Sequence, residues 1–213
     1  MKRCKIRLLH KYQCDSLYYF KKALPMGVKM IALNIKDNLF RFKASPRVFS
    51  PRYVDKGTLF MLSLADFNKT DKILDLGCGY GVVGITAAKF ADPRNVYMTD
   101  SDDEALRLAR ENASLNGVEG VHILKSDAYE SLDETGFDLI LSNPPYHTDF
   151  SLAKRFIEKG FNRLKIGGRF FMVTKREEWY KRKFISIFGG VKIFRGDGYT
   201  VFVAERRTAG YNS

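Results

Sequence analysis

The stretch Lys72-Ile-Leu-Asp-Leu-Gly-Cys-Gly-Tyr-Gly81 decides the fold of this chain. Its first half is a short apolar run interrupted by Asp75, a pattern typical of a buried parallel strand. Glycines follow at alternate positions, where the backbone can turn sharply and a ligand can approach the main chain. Residues 82–90 are mostly small and apolar and predict a helix. In an open parallel sheet, a strand, a glycine loop and a helix in this order form the place where a nucleotide-like ligand binds.

The glycine loop by itself leaves the ligand open. Gly79, Gly81 and Gly84 satisfy the spacing of the dinucleotide-binding fingerprint. The string Asp-Leu-Gly-Cys-Gly-x-Gly also resembles motif I of the class I S-adenosylmethionine (SAM) methyltransferases, whose glycines face the methionine part of SAM. Cys78 lies where a small side chain is needed, and we interpret it as a spacer rather than a nucleophile. The choice between SAM and NAD depends on residues elsewhere in the chain.

Composition narrows the class of protein. The length of 213 residues suits one domain with at most a small appendage. Lys and Arg number 36 against 24 Asp and Glu, and the resulting formal charge of +12 favours a polyanionic partner. No apolar run approaches the length of about 18 residues that a membrane span needs. Three cysteines without metal-ligand spacing favour free thiols in a reducing cytosol and predict no metal site.

The chain divides into four predicted segments. Residues 1–30 form a basic leader in which tyrosines interleave with Lys and Arg, as expected for a single-stranded RNA surface, although a solvated leader fits equally well. Alternating apolar and basic residues predict a hairpin within an extension over 31–58. The predicted catalytic domain covers 59–206 and begins with a helix over 59–67, and 207–213 form a tail.

Polar residues follow three predicted strands of the sheet. Asp100 and Ser101 end the second strand, and Asp100 lies about 20 residues after Gly79, the spacing of the acid that holds a ribose diol. Asp127 and Ala128 follow the third strand, where a carboxylate can accept a hydrogen bond from an adenine amine. Because the carboxyl ends of parallel strands meet at one edge, we expect these side chains to share one site.

Asn143-Pro-Pro-Tyr146 follows the fourth strand directly. The prolines remove two N–H donors, so the carbonyls of this loop can point outward as acceptors. With the side-chain carbonyl of Asn143, they can accept the hydrogens of a planar amine and direct its nitrogen lone pair toward a methyl donor. We expect Tyr146 to stack on the flat substrate, and catalysis to consist mainly of orientation for in-line transfer.

These motifs occur in the order and spacing of amino methyltransferases. Residues 31–206 resemble the RsmC-like small-domain family, whose members methylate the exocyclic N2 amine of guanine in ribosomal RNA. The narrower match rests on Phe49-Ser-Pro-Arg-Tyr-Val-Asp-Lys-Gly-Thr58 and on Asn112-Ala-Ser-Leu-Asn-Gly117. The resemblance implies a Rossmann-like α/β fold with a seven-stranded sheet, its last strand antiparallel, preceded by a small N-terminal β-hairpin.

The resemblance and the motifs together define a predicted site for SAM and its substrate. The predicted catalytic residues are Asn143, Pro144, Pro145 and Tyr146. The predicted cofactor-binding residues are Asp75, Gly77, Cys78, Gly79, Gly81, Asp100, Ser101, Asp127, Ala128 and Asn143. The predicted substrate-binding residues are Phe49, Arg52, Asp55, Thr58 and Lys175.

The sequence therefore predicts a cytoplasmic SAM-dependent methyltransferase acting on a guanine N2 amine, with ribosomal (16S) RNA or a ribosomal subunit as partner. Its central motif also suits adenine N6 or the glutamine amide of a release factor. A nicotinamide-dependent oxidoreductase would use the glycine loop but leave Asn143-Pro-Pro-Tyr146 without a role. A non-catalytic RNA-binding module would not need that motif either.

Overall fold

A computed structural model describes residues 27–48, 53–145 and 150–210. The predictions for Phe49, Arg52, Tyr146 and residues 1–26 of the leader lie outside these ranges. None of the helices within them has the length and apolar character that a membrane crossing requires.

The predicted N-terminal hairpin is present as β1 (Lys29–Ile35) and β2 (Asn38–Ala44), paired antiparallel. Its tight turn places Lys36 and Asp37 at φ of 49° and 63°, the left-handed conformation that a type I′ hairpin requires. Phe40 and Phe42 on β2 are fully buried, with ring centroids 6.0 Å apart. The hairpin therefore packs onto the main domain through an aromatic face.

The main sheet has seven strands in the order β5-β4-β3-β6-β7-β9-β8. The strands from β3 to β7 are mutually parallel, and β9 runs antiparallel to both β7 and β8. This topology confirms the predicted sheet and its reversed last strand. The elements are α1 (Lys56–Leu64), β3 (Ile73–Leu76), α2 (Val82–Ala88), β4 (Val96–Asp100), α3 (Asp103–Leu115), β5 (His122–Lys125), β6 (Phe137–Ser142), α4 (Phe150–Arg163), β7 (Leu164–Thr174), α5 (Glu177–Phe188), β8 (Lys192–Gly196) and β9 (Tyr199–Glu205).

Two hydrophobic layers cover the sheet. One contains the hairpin with α1, α2 and α3, and the other contains α4 and α5. Alternate residues of β3 serve the two layers, because successive side chains of a strand point to opposite faces: Ile73 packs in the first and Leu74 in the second. Asp75 shares the face of Ile73 and meets α2, where it forms part of the site.

Helix α1 differs from its predicted bounds of 59–67. It begins at Lys56 because the Asp55 carboxylate accepts a hydrogen bond from the Thr58 N–H at 3.1 Å and caps the first turn. It ends at Leu64, since Ala65 is extended. The predicted segment boundary between 58 and 59 therefore falls inside this helix.

Two asparagines, one in α3 and one at its C-cap, attach the hairpin to the domain. Asn112 pairs with the backbone of Lys43, accepting from its N–H at 2.7 Å and donating to its carbonyl at 3.0 Å. Asn116 pairs in the same way with Arg41, at 3.1 and 2.7 Å. Each side chain thus satisfies a backbone group of β2 that would otherwise be unpaired. These residues belong to the stretch 112–117 on which the family resemblance rested.

Candidate active site

A cavity of about 240 Å³ opens at the carboxyl ends of β3, β4 and β6. Most of the predicted site residues within the described ranges line it. Those residues are Asp55, Thr58, Asp75, Gly77, Cys78, Gly79, Asp100, Ser101, Asp127, Ala128, Asn143, Pro144 and Pro145. Gly81 and Lys175 are not part of the lining. Gly81 instead precedes α2 at φ 98°, and the Lys175 ammonium lies 4.8 Å from the ring centre of Tyr199.

Asp75 joins β3 to the start of α2. Its Oδ2 accepts a hydrogen bond from the Gly84 N–H at 2.8 Å. Burial raises the pKa of Asp75 to about 7; the Gly84 N–H opposes the shift and the charge of Asp100 adds to it. A Cβ at Gly84 would lie 2.5 Å from Met98 Cγ, so the third glycine of the fingerprint spacing permits close helix–strand packing. Asp75 therefore fixes the first turn of α2 against the end of β3.

The glycine loop is held by backbone hydrogen bonds to β4. The N–H groups of Gly77 and Cys78 donate to the Thr99 carbonyl at 2.8 and 2.9 Å. Gly77 and Gly79 have φ of 73° and 55°, which favours glycine, and no atom of the described residues lies within 4 Å of a Cβ built at Gly79. Burial and the charges of Asp75 and Asp100 raise the pKa of the Cys78 thiol, which disfavours the reactive thiolate.

Asp100 lies between the glycine loop and the start of α3. Its Oδ2 accepts from the Gly79 N–H at 2.8 Å, and its Oδ1 accepts from the Asp102 N–H at 3.0 Å. A carboxylate has about four acceptor positions, so this fixed group can also accept two neighbouring hydroxyls. The geometry suits the predicted binding of a ribose diol.

Asp127 lines the cavity and forms a salt bridge that the sequence did not predict. Both of its oxygens accept from the Arg155 guanidinium of α4, at 2.7 and 3.1 Å. Ala128 follows at φ 56°, a conformation that residues with a Cβ rarely adopt. Helix α4 also supplies an apolar wall, through Leu152 and Phe156. No signal in the sequence placed Leu152 and Phe156 at the site.

Asn143 is connected to the start of α1. Its Nδ2 donates to Asp55 Oδ1 at 2.9 Å and to Thr58 Oγ1 at 2.8 Å. Asp55 Oδ2 in turn accepts from the Tyr199 hydroxyl at 3.0 Å. Burial, this hydrogen bond and the Asp55 charge raise the pKa of Tyr199 to about 12, so the hydroxyl remains a donor. Asp55 and Thr58, predicted to bind substrate, are thus hydrogen-bonded to the predicted catalytic residue.

The cavity has the chemistry that SAM requires. Asp100 offers a fixed carboxylate of the kind that suits a ribose diol, and a Cβ built at Gly79 would meet no described atom, so a ligand could approach the main chain there. Thr99 lines the cavity, and its Oγ1 is a buried oxygen with no hydrogen-bond partner within the described part of the chain. Phe156 and Leu152 provide apolar surface for a flat ring.

A seven-stranded sheet with this strand order, a reversed last strand and a glycine loop at its carboxyl edge defines the class I SAM-dependent methyltransferases. SAM is the methyl donor of that class. Within it, the chain belongs to the methyltransferase small domain family, whose characteristic sequence matches residues 39–203. This membership decides against the nicotinamide-dependent alternative.

Comparison with known proteins gives relatives of two lengths. The YbxB protein of Bacillus subtilis is 30% identical over 166 residues, which cover 77% of this chain and 83% of YbxB. Ribosomal RNA small subunit methyltransferase C of Psychromonas ingrahamii is 31% identical over 170 residues, covering 78% of this chain and 48% of that protein. The T. thermophilus 16S rRNA N2 G1207 methyltransferase (RsmC), solved with AdoMet and guanosine, superposes with a TM-score of 0.77 at 27% identity. That match covers 86% of this chain and 52% of the RsmC chain, so this chain spans about half the length of the methyltransferase C proteins it resembles.

Proposed function

We propose that this protein transfers the methyl group of SAM to the exocyclic N2 amine of a guanine in ribosomal RNA of the small subunit. The observation that carries the proposal is the orientation of Asn143. Both hydrogens of its amide nitrogen are directed at Asp55 and Thr58, so Oδ1 is the acceptor that the side chain can present to a substrate amine. The similarity to RsmC proteins supports guanine as the base, and the charge of +12 supports an RNA partner.

Different residues of the cavity would bind the different parts of SAM. When bound, SAM supplies an electrophilic methyl group on sulfur. The Asp100 carboxylate would hold the ribose hydroxyls, while the loop from Gly77 to Gly79 would lie along the methionine part. Asp127, already bridged to Arg155, would accept from the adenine amine at the outer side of the cavity. The cofactor would then be fixed with its methyl group toward Asn143.

The amine would be positioned by acceptors alone. Asn143 Oδ1 and a proline carbonyl of the loop would each accept one amine hydrogen, which turns the nitrogen lone pair out of conjugation and toward the methyl group. No strong base is needed, because the nitrogen becomes acidic once it is methylated and its proton passes to water. Rate enhancement would come from orientation and from preorganised hydrogen bonds. The guanine must leave its stack to reach this position.

The same acceptors fit two other planar amines, adenine N6 and a protein glutamine amide. Product analysis distinguishes them. The protein is incubated with methyl-labelled SAM and, in parallel, with undermethylated small ribosomal subunits, naked 16S RNA and release factor. Label in N2-methylguanosine supports the proposal. Label in N6-methyladenosine would keep the mechanism and replace the base, whereas label in glutamine alone would refute an RNA substrate.

A further inference from the structure

We propose that Asp55, Thr58 and Tyr199 form a positioning network that fixes the side-chain amide of Asn143 with its carbonyl oxygen toward the substrate amine. The inference rests on the proposed function and extends it to residues that do not themselves touch the reacting atoms. Tyr199, on the antiparallel strand β9, is the outermost member, and it acts on Asn143 through Asp55.

The chemistry of Asp55 selects one of two amide orientations. A half-turn of the Asn143 amide exchanges its oxygen and nitrogen at almost no cost in shape. An ionised carboxylate only accepts hydrogen bonds, so Asp55 Oδ1 at 2.9 Å pairs with Nδ2 and repels Oδ1. The reversed amide would place two acceptors together beside α1 and present N–H groups to an amine that also donates. Asp55 thereby excludes the unproductive orientation.

Asp55 is itself held on both oxygens. Oδ1 also accepts from the Thr58 N–H at 3.1 Å, which caps α1, and Oδ2 accepts from the Tyr199 hydroxyl at 3.0 Å. The ring of Tyr199 reaches this position because residue 57 is glycine. A Cβ at Gly57 would lie 2.5 Å from Tyr199 Cδ1 and 2.6 Å from Val173 Cγ1. The Asp-x-Gly-Thr spacing of residues 55–58 therefore supplies an acceptor, a gap for the ring and a hydroxyl.

The network also strengthens the acceptor. A hydrogen bond from an amide N–H to a carboxylate polarises the amide and increases the negative charge on its oxygen. Asn143 Oδ1 would then bind the amine hydrogen more tightly in the transition state, when that hydrogen becomes more positive. Loss of the network should lower the transfer rate while leaving SAM and RNA affinity nearly unchanged, because neither affinity depends on this single contact.

Single-turnover methyl transfer at saturating SAM and RNA tests the inference. We expect Tyr199→Phe and Thr58→Val each to slow transfer by about tenfold, the scale of one hydrogen bond to a polar group. Thr58→Ser keeps the hydroxyl and should restore the rate to within about threefold of wild type. Tyr97→Phe is the matched control, because Tyr97 stacks on His122 away from the cavity and its rate should equal wild type.

A double-mutant cycle separates positioning from general damage. If Tyr199 acts through Asn143, adding Tyr199→Phe to Asn143→Ala should cause no further loss of rate. A wild-type rate for Tyr199→Phe, or full additivity in the cycle, would overturn the inference. Failure of the wild-type protein to label RNA would instead overturn the proposed function. If the label appears in a protein glutamine, the same double-mutant cycle should be measured with that protein as the substrate.

The exchange of amide protons with solvent tests the network without catalytic turnover, so it also applies to variants that lack activity. The Nδ2 protons of Asn143, assigned by their loss in Asn143→Ala, should exchange with solvent more slowly in wild type than in Thr58→Val. Equal exchange rates would contradict the network even if the catalytic rates agreed with it.

Discussion

The Asp100 carboxylate accepts a hydrogen bond from the Gly79 N–H at 2.8 Å, so the acid at the end of β4 also fixes the glycine loop. The proposed ribose site and the proposed methionine site are therefore parts of one hydrogen-bonded unit. Removal of Asp100 should disturb both, whereas removal of an acid at the outer side of the cavity should disturb only one.

Asp100→Ala should weaken SAM binding by about 1.5–3 kcal/mol, the range for hydrogen bonds to charged groups. The loss should come from the ribose contacts and from release of the loop. Titration calorimetry with SAM measures it directly, with circular dichroism as a check on folding. Unchanged SAM affinity in a folded variant would remove the ribose assignment.

Asp127→Ala should weaken SAM binding less than Asp100→Ala does. Asp127 would touch only the adenine amine, and the Arg155 guanidinium already occupies both of its oxygens. Arg155→Ala serves as the matched variant, because it frees the same carboxylate without removing it. If calorimetry shows a larger loss of SAM affinity for Asp127→Ala than for Asp100→Ala, the proposed positions of the ribose and the adenine would have to be exchanged.

Asp75 should make stability depend on pH. Its pKa is about 7 in the folded protein and 3.8 ordinarily, so the folded state binds more protons than the unfolded state between these values. The proton bound by Asp75 should stabilise the folded state below the ordinary pKa of 3.8. This stabilisation should be lost as the pH rises toward the folded-state pKa of about 7. Asp75→Asn cannot titrate and keeps an oxygen for the Gly84 N–H.

Urea denaturation of the wild type and Asp75→Asn without SAM, over a pH series between about 4 and 8, measures this difference. The wild type should lose stability relative to Asp75→Asn as the pH rises from about 4 to about 7, and the difference should then stay level. A difference that is constant with pH would mean that Asp75 is already charged in the folded protein.

Gly84→Ala should destabilise the protein more than Gly79→Ala. A Cβ at Gly84 would lie 2.5 Å from Met98 Cγ and 3.2 Å from Asp75 Oδ2, and such overpacking costs about 1–3 kcal/mol. Among the residues that the structure describes, no atom lies within 4 Å of a Cβ at Gly79, so its alanine variant meets the strain of φ 55° without a described clash. Thermal and urea unfolding compare the two variants, and equal destabilisation would contradict the packing role of Gly84.

The sequence predicted the sheet, its glycine loop and the acids at its edge because these depend on local patterns. Short apolar runs with an acid at or near their carboxyl end, Asp75 and Asp100, locate the strand ends, and the carboxyl ends of parallel strands share an edge. The contact between Asn143 and Asp55 joins residues 88 positions apart, and no local pattern encodes it. Asp55 was expected at the substrate because its motif belongs to the family, but the motif does not show which group it faces.

Other parts of the site could not be predicted either, mostly because they depend on contacts between segments that are far apart in the sequence. The bridge from Arg155 to Asp127 depends on how α4 packs against the sheet. The start of α1 depends on a cap at Asp55, which a prediction from apolar periodicity placed three residues too late. Asn112 and Asn116 belong to a stretch that the family resemblance singled out, but their bonds to β2 appear only once the hairpin is folded against them.

The most direct test of the central claim is single-turnover methyl transfer by Asn143→Ala to undermethylated small ribosomal subunits, with the labelled nucleoside identified. Asn143 is proposed to contact the amine only as it reacts, so SAM and RNA affinity should stay within a few-fold of wild type. The transfer rate should fall by about 10²–10³, the scale for losing one preorganised polar contact at a reacting centre. A rate near that of wild type, with the label still in N2-methylguanosine, would contradict the claim that Asn143 orients the amine.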